Sequence, residues 1–217
     1  LFGGRVKPGT GPLHTDSPFY TDDVQHYEPD LAKAAALLDE AGLKKGADGK
    51  RFSMVIDVPT WALQTHIPLS EYLRTQLGKL GIDVEIRRAP DFGTWAQRVA
   101  SWDYDATING SFNYPDPTIG VDRHFLCSNI RHVVWSNTEG YCNKDVDAIL
   151  KAAAVEMDPA KRKELYHQLQ KKVADDLVFI YLPQEFTTTI YRDTVQNPPL
   201  SAFGPLAPWD EIWLKKE

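Results

Sequence analysis

The chain has 217 residues, with 24 Lys and Arg against 30 Asp and Glu for a formal net charge of −6. A hydrophobic share of 42% beside 25% charged residues is that of a globule able to bury a sizeable core, and it excludes a disordered polyelectrolyte. The acidic balance argues against a general nucleic-acid footprint, and no apolar run approaches the ~18–20 residues needed to span a bilayer, the longest being residues 177–182.

The chain opens Leu1-Phe2-Gly3-Gly4, with no initiator Met and no signal-type basic or apolar stretch, and so reads as a piece of a longer protein. Residues 1–29 carry Gly, Pro, Thr and Asp without a period and read as an entry segment. Residues 29–42 predict a helix: Leu31, Ala34, Leu38 and Ala41 share a face, Pro29 suits the first turn and Gly42 the end. Phe52, Met54, Ile56 and Val58 alternate as a strand. Residues 65–80 predict a helix on Leu69, Leu73, Leu77 and Leu80, ended by Gly81. Ile82, Val84 and Ile86 then alternate against Asp83, Glu85 and Arg87. Strand, helix and strand at this spacing predict a parallel pair. Asp91 suits the cap of a helix carrying Phe92, Trp95 and Val99, and residues 104–111 read as a third strand.

From residue 112 to 143 the pattern dissolves into a long segment with Tyr114, Trp135, Tyr141 and both cysteines; a loop of that length and content points to function. Two helices follow, one on Val146, Ile149, Leu150 and Ala153, the other capped by Asp158 with Pro159 at its first position and Leu165, Leu169 and Val173 on its face. Residues 177–182 read as a buried strand with a β-rich stretch at 187–191 beside it, and the tail at 197–213 is Pro-rich. The fold class is α/β, a mixed, mostly parallel sheet flanked by helices.

Several segments carry a resemblance. They are Tyr27-Glu28-Pro29-Asp30-Leu31-Ala32 through Leu37-Leu38-Asp39-Glu40-Ala41-Gly42; Leu77-Gly78-Lys79-Leu80-Gly81-Ile82-Asp83-Val84; Tyr114-Pro115-Asp116-Pro117; Gly140-Tyr141-Cys142-Asn143 with Asp147; and Met157-Asp158-Pro159-Ala160-Lys161-Arg162 through Tyr166 and Gln170. In this order the set resembles the C-terminal lobe of the peptide/nickel class (family 5) of extracellular solute-binding proteins, the receptors of ABC importers. The resemblance implies one lobe of a periplasmic-binding-protein clamp. Residues 1–15 would be a hinge-proximal entry segment, 16–191 the ligand-binding lobe, and 192–217 a return segment toward an N-terminal lobe. It implies capture of a peptide-like or other small solute and delivery to ABC permease subunits in the membrane. It further implies a periplasmic or extracellular location with a lipid anchor on a preceding N-terminus, and a monomer with no cofactor, no metal, no nucleic-acid partner and no catalysis. The alternative is a hydrolase-like enzyme or a signalling receptor on the same scaffold.

In open α/β sheets ligands sit outside the carboxyl ends of the strands. The loop leaving the third strand there carries Asn109, Gly110, Ser111, Phe112, Asn113 and Tyr114, taken as ligand-facing, while residues 115–117 read as a structural turn. In peptide-binding members of the family this loop resembles Gly-Trp-x-x-Asp-Tyr, the Asp pairing with the peptide's α-ammonium. Here Gly110 stands in the Trp place and Asn113 in the Asp place. An amide accepts a hydrogen bond but brings no charge for a desolvated cation, which points away from a free N-terminus and toward a neutral or differently charged solute. Trp61 either faces ligand or packs on the helix at 65–80. Trp135 and Asn137 either line the cleft or pack, and Tyr191 is a further cleft candidate.

In an exported protein, Cys127 and Cys142 read as a disulfide pinning the long loop. With His124 and His132 they also spell His-x2-Cys-x4-His-x9-Cys, which matches no standard zinc spacing, and two free thiols remain a third reading. No nucleophile elbow, phosphate loop, dinucleotide fingerprint or zincin motif is present, and Ser111 has no base identifiable from sequence.

Overall fold

Two seven-residue strands, β1 (Phe52–Val58) and β2 (Ile82–Arg88), pair in parallel from Phe52↔Ile82 to Val58↔Arg88. They are seen in a computed structural model that describes residues 6–61, 63–184, 189–199, 203 and 207–215. The described chain forms two compact units, one from Gln25–Ser111 and His124–Lys144, the other from Phe2–Val24, Phe112–Arg123 and Asp145–Glu217.

In the first unit Ile56, Val58, Ile82 and Val84 are buried, as a parallel pair covered by its crossover helix requires. That helix is α2 (Leu63–Lys79), and it lies against both strands. Gly81 makes the turn into β2. Its φ is +85°, and a Cβ there would stand 2.6 Å from the carbonyl oxygen of Gly49, so only glycine fits.

The third strand, β3 (Ala106–Thr107), pairs with β1 in parallel and gives the order β2-β1-β3. It is far shorter than the predicted 104–111. Side chains take over the ladder at both ends: the Asp105 carboxylate accepts from Val55 N–H at 2.7 Å, and Asn109 Oδ1 accepts from Gly110 N–H at 2.8 Å.

Helix α3 (Phe92–Ser101) is capped by Asp91, which accepts from Thr94 N–H at 2.7 Å, and ends at Trp102 in the left-handed region. Its Trp95 and Val99 are fully buried, with Ala89, and Val134, Tyr104 and Ala96 pack on them. Helix α1 (Leu31–Glu40) is capped by Asp30, so Pro29 lies just outside rather than in the first turn as expected. No residue of α1 is buried. Arg51 fastens it, donating from its guanidinium to Asp39 and the carbonyl of Leu43 and from Nε to the carbonyl of Leu80 at 2.8 Å.

The second unit is built on α4 (Lys144–Val155) and α5 (Pro159–Asp175). Asp158 caps α5 and Pro159 opens it, as the sequence predicts. The face of α5 buries Tyr166, Leu169, Gln170 and Val173, and Phe19 meets Tyr166 edge-on at 5.1 Å. Residues 177–182 are not the buried strand that was expected: Leu177 is exposed and Ile180 is 84% exposed. The nearest ladder contact is one antiparallel bridge, Lys7↔Gln184, so the run has no partner strand among the described residues to cover it. Of the β-rich stretch at 187–191, residues 187 and 188 lie outside the described residues and 189–191 form no strand. A two-stranded antiparallel ribbon, β4 (Val195–Gln196) with β5 (Trp213–Leu214), completes the unit.

Candidate functional site

Because β1, β2 and β3 run parallel, their carboxyl ends open on one edge of the first unit. Trp61 follows β1, Phe92 follows β2 and Asn109 follows β3. Trp61 and Phe92 each keep 44% of their surface exposed. Both rest on the buried Trp95, Trp61 edge-on at 4.5 Å and Phe92 at 6.0 Å. Trp61 thus packs on α3, while the sequence reading weighed a ligand-facing place against packing on the helix at 65–80. Trp135 stacks on Phe92 at 5.6 Å and 27°, and lies 6.5 Å from Trp61. Three half-open rings above a buried fourth make an aromatic wall, with ring separations in the range where offset and edge-on pairs attract.

The wall stands on a charged footing. Asp57, near the end of β1, has no exposed surface, and its Oδ1 accepts from Arg87 Nε at 3.0 Å and from an Arg98 guanidinium nitrogen at 2.9 Å. Arg87 also reaches Asp103 at 3.2 Å. Asp57 Oδ2 is buried and has no hydrogen-bond partner among the described residues. Beside it, Trp95 Nε1 donates to Thr107 Oγ1 at 3.1 Å, which donates to the Asp57 carbonyl at 3.2 Å. Two open hollows of about 250 and 270 Å³ border this network on Arg87, Asp103 and Asp105 and share no residue with the aromatic wall.

The disulfide reading holds: Cys127 and Cys142 are bonded, and no metal-type cluster occurs among the described residues. By the chain-entropy model a loop of this size contributes about 3 kcal/mol. Inside it Asn137 is fully buried, its amide donating to the carbonyls of Leu126 at 3.0 Å and Tyr141 at 2.6 Å and accepting from Tyr141 N–H at 3.0 Å. Asn137 therefore ties the loop together, the packing alternative of the sequence reading, while Trp135 reaches the wall. Trp135 and His132 sit at φ +58° and +53°, a conformation that costs a bulky residue about 1–3 kcal/mol.

Ser111, exposed, lies 3.2 Å from the buried His124 Nε2, so a base that the sequence did not reveal is at hand. The contact orients a hydroxyl; nucleophilic catalysis would further need donors set for an oxyanion. Gly110 is exposed, and a Cβ there would meet nothing within 4 Å.

Phe112, Asn113, Tyr114 and Tyr191 belong to the second unit. Phe112 is 65% exposed, Tyr191 is exposed, and Tyr114 lies 5.8 Å from Phe203. Asn113 Oδ1 accepts from His14 N–H at 3.1 Å. The turn after it is fastened by Asp116, which takes a two-pronged bond from Arg162 at 2.7 and 2.9 Å and accepts from Thr118. The Arg162 guanidinium beside it holds the Asp116 carboxyl down at about 2. Burial pushes the Asp122 carboxyl the other way, up to about 6, although Tyr166 donates to it at 3.4 Å.

Phe92 was missed as a site residue because its spacing with Trp95 and Val99 reads as core. Its place one residue beyond a cap at a strand's carboxyl end was the usable signal.

Among curated proteins the chain is 29% identical over 188 residues to protein XP55 of Streptomyces lividans, covering 84% of this chain and 33% of that one. It is 28% identical over 205 residues to di/tripeptide-binding protein 4 of Pseudomonas aeruginosa, covering 91% and 36%. The chain thus spans about a third of the length of these relatives. Its fold matches the periplasmic binding protein DppA of Helicobacter pylori, solved with the peptide STSA, at a TM-score of 0.82 and 20% identity over 100% of this chain and 40% of that one. Residues 1–132 match the profile of bacterial extracellular solute-binding proteins, family 5, middle region, and the chain belongs to that family.

Proposed function

We propose that this chain is the ligand-presenting lobe of a solute-binding protein that captures a short peptide or peptide-like solute for an ABC importer. The observation that carries the reading is the convergence of Trp61, Phe92 and Asn109 on one edge of the parallel sheet, at the carboxyl ends where such sheets bind ligands. The family and the peptide-binding relatives favour peptides, and Asn113 in place of an acid favours those whose amino end is not a bare ammonium. Solute bound between two lobes would stabilise a closed clamp, the form a membrane permease recognises on the periplasmic or outer face.

The test is native mass spectrometry of the full-length protein purified gently from its own host, followed by calorimetry with di- and tripeptides, free and N-acetylated. A discrete added mass in the peptide range, or saturable binding of panel members, is expected. No added mass and no binding across the panel overturns the peptide reading.

A further inference from the structure

Trp135 owes its place on the wall to a backbone that a tryptophan rarely adopts. Its φ is +58°, His132 three residues earlier is at +53°, and such conformations persist where the surroundings over-determine them. The Cys127–Cys142 bond closes the loop, and the Asn137 amide ties its two arms from inside. Tyr104 donates to the carbonyl of Thr138 at 2.9 Å, and Val134 packs on Trp95 and Val99. Ser136 donates from both N–H and Oγ to the Val133 carbonyl, which closes the turn that carries the indole. The sheet and α2, by contrast, draw their buried residues from β1, β2 and their own packing. Cys142 is exposed and Cys127 partly so, which leaves sulfur open to a thiolate.

We propose that the Cys127–Cys142 disulfide is a redox-sensitive lock on Trp135: it holds the indole against Phe92 on the ligand edge, and its reduction frees the ring while the sheet stays folded. The consequence for affinity rests on the reading of that edge as ligand-facing. The reductant is an external dithiol. One of its thiolates attacks one cysteine sulfur, its second thiol resolves the mixed disulfide, and two electrons and two protons pass to the cysteines. Two thiols remain on the protein, and the dithiol leaves as its own disulfide. Without the tie, Trp135 relaxes out of the left-handed region and Phe92 loses its stacking partner.

The test uses full-length protein labelled with fluorotryptophan, the Trp135 resonance assigned with Trp135→Phe. Fluorine NMR, far-UV circular dichroism and calorimetry with Ala-Phe-Ala and its N-acetyl form are run with and without dithiothreitol. Reduction is expected to shift and narrow the Trp135 signal, leave the far-UV spectrum unchanged and weaken the better-bound peptide about tenfold, all reversed on reoxidation. Trp135→Gly, which accepts the left-handed backbone but has no ring, should match the reduced affinity and ignore dithiothreitol. An unchanged Trp135 resonance overturns the lock, whereas equal affinity of both redox forms with the ring released supports the lock and overturns the reading of that edge as ligand-facing. Ring release with neither peptide bound in either form supports the lock and removes the peptide reading instead.

Discussion

Asp57 Oδ1 and an Arg98 guanidinium nitrogen lie 2.9 Å apart, an ion pair whose acid has no exposed surface. The pair joins β1 to α3, the helix whose start carries Phe92 and whose Trp95 supports the wall. Removing one partner of a buried pair leaves the other's charge uncompensated. Asp57→Asn should therefore destabilise the protein by about 3 kcal/mol, the low end of the usual range. Arg87 and Arg98 retain about a quarter of their side-chain surface, and Arg87 keeps Asp103. Urea unfolding checks it; an unchanged midpoint would show the footing contributes nothing.

Asp122 sets a pH dependence of unusual sign for an acid. Its carboxyl sits at about 6 in the folded chain against 3.8 for the ordinary group, because burial disfavours the charge. The native state then holds the proton more tightly, so stability falls as pH rises from about 4 to about 6, by about 3 kcal/mol in full. Asp116 acts in the opposite sense and elsewhere. Held at about 2, its contribution is complete above about 4 and lost as pH falls through about 2. Asp122→Asn should flatten the stability profile between pH 4 and 7 and raise stability near pH 8, read by urea titrations at several pH values.

Asn113→Asp should keep the fold, since a carboxylate still accepts the His14 N–H. It should shift the ratio of affinities for Ala-Phe-Ala over its N-acetyl form about tenfold toward the free amine, by supplying the missing charge. A ratio that does not move places this loop outside the ligand contacts.

Helix α1 buries none of its residues, and Arg51 is its main fastening. Arg51→Met keeps the stem and removes the guanidinium. Hydrogen exchange should then accelerate at α1 amides from Ala34 to Ala41 while β1 and β2 amides stay protected. Uniform loss of protection would instead make α1 part of the sheet's cooperative unit.

Local chemistry was legible where it is self-contained. The Phe52–Val58 and Ile82–Arg88 alternation, the Asp91 and Asp158 caps and the cysteine pair each announce themselves within a few residues. The shortened β3 was not legible, because Asp105 and Asn109 intercept backbone groups with their side chains. Residues 177–182 are apolar enough for a buried strand, but a strand also needs a neighbour to pair with. At the site, the position of Trp61 after a strand was readable. The stacking of Trp135 on Phe92, 43 residues apart in sequence, was not, since it depends on a left-handed backbone held by Asn137 and a disulfide.

The parallel register has a practical corollary. Trp61, Phe92 and Asn109 are each carried by a separate short connection that leaves an already completed strand. On the proposed reading of that edge, ligand preference would be rewritten one connection at a time, in nature or by design, with the hydrogen-bond ladder beneath acting as a fixed chassis. A chain of this build can change what its loop edge presents without relearning how to fold.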